Sequence, residues 1–96
     1  MAARGRKLAK PGFVMQFCRG ESQAPLRAGY TATKKIGNAV ARNRARRRLK
    51  EAARLVLAGR ELPGVELVLI CRQETAGLPF ETLCGGIKAA LAEALA

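Results

Sequence analysis

The stretch "GNAVARNRARRRLKEAARL", residues 37 to 55, constrains this chain more than any other because it has to satisfy two demands at once. Between Arg42 and Arg54 it holds seven Lys or Arg residues, with only Glu51 in opposition. A solvated basic tail has no reason to keep its apolar residues in register. At 3.6 residues per turn, however, Ala41, Ala45, Leu49, Ala52 and Val56 fall on one stripe, while Asn43, Arg46, Arg47, Lys50 and Arg54 face the other way. Arg42 and Arg44 lie on the flanks between these faces. Arg48 sits near the apolar stripe, where its methylenes can run along the core edge with the guanidinium outside. The run therefore reads as a docked helix starting at Ala39, capped by Asn38 and ended by Gly59, with one face offered to a polyanion.

The flanking segments supply something for that helix to dock on. "GFVMQFCRG" alternates Phe13, Met15 and Phe17 with Val14, Gln16 and Cys18 between Pro11-Gly12 and Gly20, the pattern of a half-buried strand. After a loop containing Pro25, residues 27–33 predict a second strand of smaller residues, and residues 34–37 the turn that leaves it. Residues 65–71 are almost unbroken apolar, which predicts a strand buried on both sides of a sheet. Pro79 suits the first turn of a second helix running to about Leu95, whose stripe of Phe80, Leu83, Cys84, Ile87, Leu91 and Leu95 covers the sheet. Gly85-Gly86 inside that helix marks close packing or a bend. The order strand, strand, basic helix, strand, helix gives an α+β fold, a small sheet packed with helices, as one domain over residues 1–96.

Charge narrows the partner. The formal net charge is +11, and residues 1–54 carry 15 basic and 2 acidic side chains against 3 and 5 in residues 55–96. A field concentrated in one half points to nucleic acid or an anionic membrane. The membrane is the weaker reading, because the basic helix has a mostly alanine apolar face that would insert poorly. A helix-turn-helix needs a helix packed immediately before the reading helix, and here strands precede it. Charge on successive exposed turns suits phosphates rather than base edges, which favours structured RNA.

The same composition removes most catalytic chemistries. The chain has neither His nor Asp, so a His-based nuclease, a nucleophile-His triad and an Asp-rich two-metal cluster are excluded, and its seven Glu are scattered. No catalytic residue and no metal site is expected in the protein itself. Cys18, Cys71 and Cys84 form no CxxC pair and read as reduced packing residues. Neither a signal-peptide pattern nor a membrane-length apolar run is present in the sequence, and the expected location is the cytoplasm.

"KKIGNAVARNRARRRLKEA", residues 34–52, closely resembles the signature of the bacterial ribonuclease P protein subunit, with Arg42-Asn43-Arg44 as the hallmark block. The resemblance extends over nearly the whole chain, from "RGRKLAKPGFVMQF" through the apolar strand at Val65 to the closing helix. It implies a ribonucleoprotein in which a large RNA, holding most of the Mg2+, removes the 5′ leader of precursor tRNA, with no membrane and no obligate protein partner. It further implies RNA-binding roles for Lys34, Lys35, Arg42, Asn43, Arg44, Arg46, Arg47 and Lys50, and a leader cleft that includes Val14 and Gln16. Gln16 stands where some members carry an aromatic residue. The implied fold is like the second domain of ribosomal protein S5, with a left-handed crossover through the basic helix. Family members also begin with a helix, which makes "AARGRKLAKPGF" read as the connector after it and Met1 as a late start. Two other classes share part of these features, a ribosomal or general structured-RNA-binding protein and a stand-alone nuclease.

Overall fold

The computed structural model describes residues 5–20 and 23–95, so Met1 and the question of where the chain starts lie outside the described residues. Strand β1 (Arg6–Lys10) turns at Pro11-Gly12 into β2 (Phe13–Arg19), and β3 (Arg27–Thr31) follows the next loop. The basic helix α1 (Ala39–Leu57) leads to β4 (Val65–Cys71), and α2 (Phe80–Leu95) closes the chain. The sheet order is β1-β2-β4-β3; β1 and β4 run antiparallel to β2, and β3 runs parallel to β4. The connection between these parallel neighbours is α1.

The strand alternation of β2 decides where the core lies. Phe13, Met15 and Phe17 are buried, as are Val65, Leu67, Leu69 and Cys71 of β4, and both helices pack on this side through Ala45, Leu49, Ala52, Leu83, Ile87 and Leu91. The opposite side carries Val14, Gln16, Val68 and Ile70, all half-buried, with no described helix over it. The expectation that residues 65–71 are buried on both sides is therefore corrected. Leu67 and Leu69 are sealed in the core while Val68 and Ile70 reach the open side, a split that a run of uniformly apolar residues conceals. Gly86 packs against Phe13, where an added Cβ would lie 3.0 Å from the ring, so the close-packing reading of that glycine holds.

A second correction concerns residues 6–10, which the sequence reading made a connector. They form an edge strand in which only Leu8 is buried, opposite Met15. Three of its five residues are Lys or Arg, a composition that hides a strand, but the flanking cations are used. Arg6 Nη1 donates to the carbonyls of Glu93 at 3.1 Å and Ala94 at 3.4 Å, and Lys10 Nζ binds Glu93 Oε2 at 2.7 Å. Both cations thus sit at the negative end of the α2 dipole.

One polar residue lies at the centre of this packing. Thr75, in the 3-10 turn Thr75–Gly77, is fully buried; its hydroxyl donates to the Gly12 carbonyl and accepts from the Arg72 N–H at 2.8 Å. It ties the β1–β2 turn to the end of β4. Thr75→Val keeps the shape but leaves the buried Gly12 carbonyl and the part-buried Arg72 N–H without this partner, and should lower the unfolding free energy by about 1 to 3 kcal/mol in urea titrations, with Thr75→Ser recovering most of the loss.

Candidate nucleic-acid interface

The α1 helix starts where the sequence demands it. Asn38 Oδ1 accepts the Ala41 N–H at 2.9 Å. Gly37 takes φ of 140°, and a Cβ there would lie 3.2 Å from that of Ala41, so both halves of the Gly-Asn pair are needed. Past Leu57, Gly59 takes φ of 77° and ends the helix as expected. The sealed side is Ala45, Leu49, Ala52, Ala53 and Val56, with Ala41 only half-buried. Because these residues are mostly alanine, α1 lies close to its neighbours and projects its long cations outward.

Of the residues expected to meet RNA, Asn43, Arg44, Arg46, Arg47 and Lys50 are exposed on α1, whereas Arg42 is half-buried toward the core side. Lys34 and Lys35 are exposed on the 3-10 turn Lys34–Ile36 just before the helix. Gln73 Nε2 fastens that turn by donating to the Lys35 carbonyl at 3.0 Å. Asn43 Oδ1 accepts from Arg46 Nη2 and so orients that guanidinium along the helix. Arg46 also bears on the end of β4, where burial pushes the Cys71 thiol up and the Arg46 charge opposes it. Glu51 is engaged by Arg54 one turn on, a contact that holds its carboxyl below the usual carboxylate range.

Arg48 departs from the expectation that its guanidinium would sit in solvent. Nη1 donates to the carbonyls of Thr75 at 3.2 Å and Ala76 at 2.6 Å. It is a structural cation that docks α1 on the turn before α2, and no spacing in the sequence announces a partner 27 residues away.

The two leader-cleft candidates stand apart from all of these. Val14 and Gln16 lie on the open side of the sheet, away from α1 and α2. In register, Gln16 lies between Lys7 of β1 and Val68 of β4, and Val14 lies between Ala9 and Ile70. Beyond β4, Gly29 and Thr31 continue the same surface. Its middle is weakly apolar, with Lys7 toward one margin and the Arg27–Glu66 ion pair, 3.6 Å apart, toward another. Among the described residues, no group of three or more His, Cys, Asp or Glu comes together to hold a metal, and no helix is long and apolar enough to cross a membrane.

The family model for ribonuclease P matches residues 1–95. The chain belongs to the ribonuclease P protein family. It is 49% identical over 94 residues to the ribonuclease P protein component of Gluconacetobacter diazotrophicus, a match covering 98% of this chain and 81% of that one. It is 47% identical to the component of Ruegeria pomeroyi, covering 94% of this chain and 74% of that one. The fold is similar to that of the Staphylococcus aureus RNase P protein, with a TM-score of 0.73 at 24% identity, covering 94% of this chain and 81% of that one. It is likewise similar to the Thermotoga maritima RNase P protein, with a TM-score of 0.70 at 24% identity, covering 92% and 82%. Ribonuclease P protein components are subunits of an RNA-based endoribonuclease that processes tRNA 5′ ends, and membership in the family gives this chain an RNA partner.

The structural role of Arg48 separates it from its neighbours on α1. Arg48→Leu should lower stability to urea by about 1 to 3 kcal/mol through loss of the charged donor to two carbonyls. Arg47→Leu, one position away but exposed, should stay within about 0.5 kcal/mol of the parent chain.

Proposed function

We propose that this chain serves as the protein subunit of a cytoplasmic ribonuclease P holoenzyme, binding the catalytic RNA through α1 and the 5′ leader of precursor tRNA on the open side of the sheet. The observation that carries this reading is the division of α1 into a sealed, alanine-rich side and an outward arc of Asn43, Arg44, Arg46, Arg47 and Lys50. Guanidinium and ammonium groups fixed on successive turns match the phosphates of a folded RNA, and Asn43 adds a group that can both donate and accept. Lys34 and Lys35 extend the same field at the helix start.

Val14 and Gln16 suit an extended single strand. A β-sheet surface with small apolar side chains and an amide offers bases a flat support, and Lys7 at its margin offers a charge to the backbone. The bond-breaking step is assigned to the RNA subunit, which also holds most of the Mg2+. The chain, lacking His and Asp, supplies binding and orientation.

Two measurements test this reading. The purified chain with Mg2+ should leave precursor tRNA intact, and should lower the Mg2+ or salt needed for cleavage once the cognate RNA is added; cleavage that follows the protein through purification without RNA would refute it. Arg46→Gln with Lys50→Gln should weaken RNA assembly and reduce its log-log salt slope by about 0.7 to 0.9 for each lost phosphate contact. Gln16→Ala should leave assembly nearly unchanged and alter the affinity difference between precursor tRNA with and without a leader. Equal effects of both changes on assembly would refute the division of labour.

A further inference from the structure

Between α1 and α2 lies a groove of about 410 Å³ lined by Arg44, Arg47, Arg48 and Glu51 of α1 and Phe80 of α2. Its volume falls in the range of small-ligand sites, about 300 to 1,000 Å³. We infer that this groove holds a single unpaired nucleotide of the RNA partner, with its base against Phe80 and its phosphate at Arg44 and Arg47. The inference rests on the ribonuclease P reading for the identity of the RNA, and adds to phosphate binding a contact made by a base.

The order of groups along the groove selects this occupant. Arg44 and Arg47 are exposed, and among the described residues neither forms an ion pair within the chain. They supply positive charge at one end. Glu51 follows about 10 Å beyond Arg44 by helical rise, at the other end. A continuous run of phosphates laid along the groove would meet that carboxylate and be repelled. A nucleotide turned out of its stack places only one phosphate at the cationic end and brings its base edge to the acidic end. There Glu51 accepts from an exocyclic amino group, which adenine, cytosine and guanine carry and uracil lacks.

The groove is also built to stay open. Arg48 is anchored to the Thr75 and Ala76 carbonyls and forms a fixed cationic wall, while Arg54 donates to Glu51 and orients its carboxylate. Phe80 is only half-buried, in the first turn of α2, and so presents part of its ring to the groove. An aromatic face and a guanidinium plane are the two surfaces on which unstacked bases rest.

The test uses the full chain and the cognate ribonuclease P RNA. Phe80→Leu should weaken RNA binding by about 5- to 150-fold, the weight of one base–aromatic stack, and leave the salt slope unchanged because no phosphate contact is lost. Phe80→Tyr, which keeps an aromatic ring, should recover most of the binding lost in Phe80→Leu. Arg44→Gln with Arg47→Gln should instead make the salt slope shallower. Ultraviolet irradiation of the unaltered complex, followed by mass spectrometry, should find a nucleotide adduct on Phe80, a readout that stands even if Phe80→Leu fails to fold. Binding by a folded Phe80→Leu within twofold of the parent chain, or an adduct map that omits Phe80, would overturn the nucleotide site while leaving the ribonuclease P reading intact. Failure of the parent chain to bind this RNA at all would overturn both.

Discussion

The parallel pairing of β3 with β4 is the constraint from which the rest of the molecule follows. Parallel neighbours cannot be joined by a tight turn, so the chain between Thr31 and Val65 has to travel back along the sheet, and α1 is the element that does so. A crossover helix must lie on one side of the sheet. That requirement seals Ala45, Leu49 and Ala52 against the core and turns the Arg-rich arc outward in a fixed direction. The basic field is therefore held by backbone topology, and the cations are displayed without having to be ordered one by one.

With α1 and α2 on the same side, the sheet becomes a two-sided device with unequal sides. Along β2, Phe13, Met15 and Phe17 are sealed in the core, while Val14 and Gln16 remain half-buried on the open side. The same partition runs through β4, where Leu67 and Leu69 face inward and Val68 and Ile70 face out. Polar exceptions in the core are few and placed at junctions. Thr75 joins the β1–β2 turn to the end of β4, and Arg48 reaches the carbonyls of the same turn from α1. The elements that carry the basic arc and the open side of the sheet are thus fastened to each other through one short 3-10 turn.

Much of this was legible in the sequence, because α1, β2 and α2 each carry a periodicity matched to their burial. Asn38 and Gly59 marked the ends of α1, and the alternation in residues 13–18 identified the inner and outer sides of β2. What escaped detection was set by contacts distant in the chain. Residues 6–10 are too cationic to read as a strand, and become one only because β2 offers a ladder and α2 offers carbonyls to Arg6. The sidedness of β4 was hidden because Val68 and Ile70 are as apolar as Leu67 and Leu69. Neither the Arg48 anchor nor the approach of Phe80 to Arg44 and Arg47 leaves a local pattern, since each joins segments roughly thirty residues apart.

The clamp that Arg6 and Lys10 place on Glu93 and Ala94 has a consequence for the order in which the fold can be completed. The joined residues are separated by 83 to 88 positions, so β1, which precedes the other described elements in the chain, is tied to the last turn of α2, which follows them. Until α2 emerges, the inner side of the β1–β2 hairpin, with Phe13 lacking its Gly86 neighbour, stays uncovered. Synthesis therefore delivers the cationic helix α1 before α2, the element that closes the core over the β1–β2 hairpin.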